Sequence, residues 1–292
     1  MHDPTPTHSF ESQSETRQST HVPGFSLEWS VMDYVLSFFE KKERKSAFIL
    51  IYAAFAVTFW AYLPYSERLF TLQEDGSVAM TQLIENGASL TTAERLWNLF
   101  QTSPQIWGAF LLFGLIPMGI VRFLFREKLS DYGLTLGLWR RTRNLILMTA
   151  PLFALTVWLA GPDPAYLQTY PYSPWLLGGF TSFTDGWPFL CAYFGIYLFF
   201  YYLSWEFFFR GFVQIGTEST VGYANAVLLG TLISTMAHFG PHAFLETLGA
   251  IAGGILWGFF VYRTRSIYAG WLTHATLGIM LDLILLNGFM PR

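Results

Sequence analysis

Seven stretches of the chain are apolar enough and long enough to cross a bilayer, near residues 46–64, 105–125, 144–161, 190–215, 225–241, 243–262 and 266–288. A spanning helix needs about 20 mostly apolar residues, so this pattern predicts an all-α, polytopic bundle of about seven transmembrane helices. Polar punctuation separates the stretches. Residues 66–103 and 162–185 read as long loops on one side, and the basic segment 126–143 reads as a loop on the other. Ahead of the first span, Phe25 to Phe39 alternates apolar and polar positions as a short interfacial helix would. Met1 to Gly24 is rich in Ser, Thr, His, Gln and Pro and reads as a disordered tail. It carries no apolar run, so no cleavable signal peptide is expected. The predicted divisions are therefore 1–24 tail, 25–45 interfacial helix with basic cluster, 46–186 N-terminal spans and loops, and 187–292 core.

Composition strengthens the membrane reading. The 292 residues are 52% hydrophobic, 19% aromatic and 13% charged, against about 25% charged in a soluble domain. A net charge of −3, with no basic groove, argues against nucleic-acid binding. Cys191 is the lone cysteine, which rules out an intrachain disulfide and a cysteine-based zinc site. Lys and Arg mark orientation. With the N-terminus in the cytoplasm, Lys41, Lys42, Arg44, Lys45, Arg122, Arg126, Lys128, Arg140, Arg141, Arg143, Arg263 and Arg265 all flank the cytoplasmic face. Arg68, Arg95 and Arg292 fall outside. The expected setting is an integral multi-pass protein of the bacterial inner membrane.

The last third breaks the apolar rule. Glu206 and Arg210 lie four residues apart, on one face of the fourth span. His238, His242, Glu246, His274 and Asp282 lie in or beside the next three spans. Ionisable groups cost about 2.5–3.5 kcal/mol each at mid-bilayer on insertion scales, so their retention points to a polar intramembrane site. Each has a plainer reading: Glu206–Arg210 as a buried structural pair, His238 as a helix-end residue. Phe207, Phe208 and Phe209 read as packing against lipid or neighbouring helices. His238, His242 and Glu246 recur every four residues, as metal ligands can. Gly240-Pro241 interrupts the helix, however, and the His-Glu-x-x-His pattern is absent. No cofactor is expected; zinc is the minor alternative.

At these residues the chain resembles the CPBP family of intramembrane proteases, which includes the type II CAAX prenyl endopeptidases and bacteriocin-processing, Abi-like proteins. The family pattern is Glu-Glu-x-x-x-Arg, then Phe-x-x-x-His, then His-x-x-x-Asn/Asp. Glu206 and Arg210 match the second Glu and the Arg, with Gly211 following; His238 and His274 match the two histidines. His238-Phe239-Gly240 and Tyr262-Arg263-Thr264-Arg265-Ser266-Ile267 are also similar to the family, and the resemblance covers about residues 187–288. Ser234 stands where Phe is usual, Gly278 where Asn or Asp is usual, and Trp205 where the family has the first Glu, its water-activating group.

The resemblance implies an endopeptidase acting on a protein or peptide near the membrane surface. Glu206 and His238 would deprotonate water, Arg210 would hold Glu206, and His274 would donate to the oxyanion. His242, Glu246 and Asp282 would orient these groups. Trp205 leaves a second reading open, a catalytically silent scaffold or immunity-type relative, because fold does not fix function. A transporter or channel is a third reading, although no paired, Gly/Pro-interrupted halves are seen.

Overall fold

A computed structural model describes residues 38–63, 70–72, 78–80, 104–160, 163–170, 183–240 and 242–289. The expected tail 1–24, most of the interfacial helix 25–39 and most of the two long loops lie outside them. Residues 38–44 belong to a unit of their own, in which the Glu40 backbone N–H donates to the Glu43 carboxylate (3.1 Å).

The described residues after that are helices and their connecting turns, apart from one short antiparallel ribbon, β1 (Phe70–Leu72) with β2 (Val78–Met80), in which Phe70 lies opposite Met80. Among the described residues six helices are long and apolar enough to span a membrane. They are α1 (Arg44–Ala61), α2 (Pro104–Leu124), α3 (Trp139–Leu159), α4 (Trp187–Val221), α6 (Phe244–Thr264) and α7 (Tyr268–Leu285). Between α4 and α6 runs the shorter α5 (Tyr223–Met236). The protein is thus a polytopic helical bundle and an integral membrane protein. Its rim supports this directly, since Phe55, Phe59, Leu147, Trp158, Leu228 and Phe244 are all more than half exposed. Such residues are stable on an outer surface when that surface meets lipid.

Two elements differ from the hydrophobic pattern. The third helix begins at Trp139 rather than near 144, which puts Arg140, Arg141 and Arg143 on its first turns. The fifth stops at Met236, not 241. Its 14 residues span about 21 Å at 1.5 Å per residue, short of a hydrocarbon core about 30 Å thick. The chain then turns through His238 and Gly240, where φ is +110°.

The core gathers on α4. Phe207, Phe208, Phe209 and Phe212 are fully buried, so the phenylalanine run faces neighbouring helices rather than lipid. Phe113 of α2 stacks on Phe208 at 4.6 Å, and Trp60 of α1 meets Trp205 edge-on at 5.3 Å. Much of α4 is π-helical, over Tyr197–Tyr202 and Phe207–Ile215, with an α-helical turn Leu203–Glu206 between. Widened turns of this kind often accompany functional sites.

The opposite end of the bundle is tied by polar contacts. The Ile267 N–H donates to the Gly133 carbonyl (3.0 Å) and the Leu138 N–H to the Thr264 carbonyl (3.1 Å). Gly133 has φ +86°, and a Cβ there would meet Ile267 Cγ2 at 2.8 Å, so this approach needs glycine. Lys45 reaches Glu127 Oε2 at 2.6 Å, and Arg265 forks onto Glu218 at 2.6 and 2.9 Å. This end therefore carries the cations that the charge count assigns to the cytoplasm.

Candidate active site

A cavity of about 360 Å³ opens between α3, α4, α6 and α7. Its floor and near wall are Tyr201, Tyr202 and Trp205 of α4 with His274 and Gly278 of α7; His238 and Glu246 stand across from them. The far wall is apolar, from Leu152, Phe153 and Val157 of α3 and Leu245 and Leu256 of α6. Tyr166 and Tyr170, beside the 3-10 turn Pro164–Gln168, close the end away from the basic loops.

Glu206 stands behind this cavity, with no exposed surface. Its Oε1 accepts a hydrogen bond from His274 Nδ1 at 2.8 Å, and its Oε2 lies 3.5 Å from Arg210 Nε. Gly270 makes the approach possible, because a Cβ there would sit 2.7 Å from Oε2. Arg210 is equally buried, with its guanidinium 5.5 Å from the Trp257 ring centroid. The same indole stacks on His274 at 4.0 Å and is itself fixed by donation from Nε1 to Thr273 Oγ1 (3.0 Å). His274 is therefore clamped: a carboxylate holds Nδ1 and an indole holds the ring face. A carboxylate in that position selects the Nδ1–H tautomer.

His238 is fixed differently. Its Nδ1 pairs with the Ser234 carbonyl at 2.8 Å. A carbonyl can only accept, so Nδ1 carries the hydrogen and Nε2 keeps a lone pair. Ser234, which stands where the family has Phe, thus supplies the backbone oxygen that sets the tautomer. Trp205 sits between the two histidines, 5.5 Å from His238 and 6.4 Å from His274, edge-on to both. The indole occupies the wall from which a side chain at this position faces both rings, and Glu206, one residue on, turns into the core.

The second-rank residues are also placed. His242 Nδ1 pairs with Glu246 Oε1 at 2.9 Å, and Tyr170 Oη donates to the same oxygen at 2.6 Å. Burial, with Glu246 close by, pushes the Tyr170 phenol well above its ordinary value and keeps it a donor. Asp282 is fully buried away from this group, accepting from Tyr193 Oη at 2.9 Å. Gly278 leaves a gap that the Tyr202 hydroxyl fills, since a Cβ at 278 would fall on that oxygen. Tyr202 was not singled out by the sequence. The signal was the missing Asn or Asp at 278, whose space another side chain had to take. Among the described residues no three His, Cys, Asp or Glu side chains are grouped to hold a metal ion.

The structure thus joins Glu206, Arg210 and His274 by direct contact, brings His238 to the same cavity across Trp205, and leaves Asp282 outside it. Comparison with known proteins places this arrangement. The model of the family described as type II CAAX prenyl endopeptidase Rce1-like matches residues 187–280, the segment that carries every one of these groups except Asp282 and the Tyr166–Tyr170 cap. No curated protein and no solved structure matches the chain. Residues 187–280 of this membrane bundle are thus similar to the CPBP intramembrane proteases, in their motifs and by that match, and the likeness covers about a third of the chain.

Proposed function

We propose that the protein is an active endopeptidase which hydrolyses a peptide bond inside the cavity between His238 and His274. The family is one of proteases, so a peptide substrate in a membrane setting is its general function. The observation that carries the finer reading is the pairing of His274 with a buried carboxylate at 2.8 Å. A carboxylate behind an imidazole orients it and stabilises its protonated form, the role it plays behind catalytic histidines generally. His274 would then donate from Nε2 to the oxyanion, a contribution of about 2.7–4 kcal/mol where such donors have been removed. His238 Nε2 would hold the attacking water, with Arg210 keeping Glu206 in place. Glu206 in this scheme acts through His274.

The side of entry follows from charge. The cations of the described bundle gather at the end with Lys45, Glu127 and Arg265, whereas the cavity is capped by Tyr166 and Tyr170 at the other end. With the basic end in the cytoplasm, the substrate reaches the site from the far side of a bacterial inner membrane.

One observation favours a second reading, a silent scaffold: Trp205 puts an indole where water activation calls for a carboxylate. Purified protein in lipid nanodiscs, incubated with a quenched-fluorescent peptide library and read by mass spectrometry, separates the two. Cleavage that disappears in His274→Ala supports the peptidase. No cleavage by wild type, with cleavage gained in Trp205→Glu, establishes the scaffold.

A further inference from the structure

We propose that Glu246, on the first turn of α6, is the catalytic carboxylate of this protein, taking the proton of the attacking water in place of the side chain that Trp205 does not provide. The inference rests on the peptidase reading and assigns its missing base. Among the described residues, Glu206, Asp282 and Glu246 are the carboxylates in or near the site. Glu206 has no exposure; its Oε1 pairs with His274 Nδ1 and its Oε2 lies 3.5 Å from Arg210 Nε. Asp282 is sealed against Tyr193. Glu246 alone of the three lines the cavity.

It is also built to act there. Oε1 is held from two directions, by Tyr170 Oη at 2.6 Å and His242 Nδ1 at 2.9 Å, which fixes the plane of the carboxylate. Oε2 is buried and has no hydrogen-bond partner, as is true of Glu206 Oε2 and Asp282 Oδ1, but of the three residues Glu246 alone borders the cavity. A buried carboxylate oxygen without a partner is costly, and native structures rarely keep one without a use. Glu246 lies at the N-terminus of a 21-residue helix, whose dipole favours the negative carboxylate. His238, whose ring is 4.9 Å from that of His242 and whose Nε2 keeps a lone pair, lines the same cavity. A water between Nε2 and Oε2 would find an acceptor on each side.

The step balances without any further reactant. The water oxygen bonds to the scissile carbonyl carbon as one of its protons passes to Glu246 Oε2. When the tetrahedral species collapses, the C–N bond breaks and that proton goes to the departing amine nitrogen. The products are a carboxylic acid and an amine, and Glu246 is again a carboxylate. The titratable groups facing it are His242, His238, Tyr166 and Tyr170, with Tyr202 and His274 across the cavity.

A tie between α6 and the Tyr170 segment could exist for structure alone, so the test needs a readout that packing does not move. The full-length protein in nanodiscs is assayed on a peptide that wild type cleaves, across a pH series, as wild type, Glu246→Gln, Glu246→Asp and Tyr170→Phe. The expected result is a kcat loss of at least about a hundredfold in Glu246→Gln with KM nearly unchanged. Glu246→Asp should keep partial activity. Tyr170→Phe, which removes one donor to the carboxylate, should move the acid limb of the profile to higher pH. Glu246→Gln with kcat within about threefold of wild type overturns the assignment, whatever its fold. If Glu246→Gln does not fold, an acid limb unmoved in both Glu246→Asp and Tyr170→Phe overturns it equally. A wild type that cleaves no peptide defeats the peptidase reading itself, a failure distinct from either of these.

Discussion

Glu206→Gln removes the charge that neutralises Arg210 while keeping the side chain's shape. The two groups stand 3.5 Å apart with 2% and 0% of their side chains exposed. At an effective dielectric of 20, opposite charges at that separation attract by about 5 kcal/mol. Removing one partner of a buried pair typically costs 3–5 kcal/mol, because the other is left uncompensated. The cost should be unequal between the partners. A guanidinium cannot shed its proton, so Glu206→Gln strands a full charge and should lose about 3–5 kcal/mol. Arg210→Met leaves a carboxylate that can still share a proton with His274, and should lose less. Glu206→Gln/Arg210→Met removes both charges and should recover most of the loss, giving a coupling energy of about 2 kcal/mol or more. Unfolding by SDS in mixed micelles, followed by tryptophan fluorescence, measures each variant. Additive single losses, or a Glu206→Gln cost under about 1 kcal/mol, would refute the buried-pair argument.

At the basic end, burial raises the Glu127 carboxyl, but hydrogen bonds from Lys45 and Tyr132 outweigh it and hold it below its ordinary value. A depressed acid stabilises the fold above its unfolded value and loses that contribution as pH falls through the folded one. Wild type should therefore lose up to about 1 kcal/mol more than Glu127→Gln on acidification through the carboxylate range, a small effect because both partners are about a third exposed; parallel stability curves would count against it. Single cysteines at 20, 135 and 163 on a Cys191→Ala background should divide by side: an impermeant maleimide reaches only position 163 in sealed cells, and labelling of 20 and 135 there would reverse the orientation.

The helices were legible because a bilayer demands long apolar runs, and no other pressure on the chain writes so plain a pattern. Their ends were less so. Arg140, Arg141 and Arg143 read as loop because they are charged, yet the first turns of α3 carry them at the helix end, where charge is free to meet water. The stop of α5 at Met236 was hidden because Ala237 and Phe239 continue the apolar run. Within the site, spacing brought Glu206 to Arg210, since both lie on one helix. The Glu206–His274 contact spans 68 positions and depends on Gly270 having no side chain, which periodicity does not record. Glu246 could be listed but not ranked: its place in the cavity comes from the turn after α5 and from Tyr170, 76 positions away.

The widened turns of α4 bear on how this site could change over generations. A π-helical stretch accommodates one more residue than the α-helical turns around it. Deleting one residue within Tyr197–Tyr202 can therefore be absorbed by tightening that stretch to α-helical turns, and Trp205 and Glu206 then keep their directions. The same deletion in a purely α-helical stretch would turn everything after it by about 100°, the step between successive helical residues. The widened turns thus act as slack in the chain, letting α4 lose a residue ahead of the site without exchanging the indole for the carboxylate on the cavity wall.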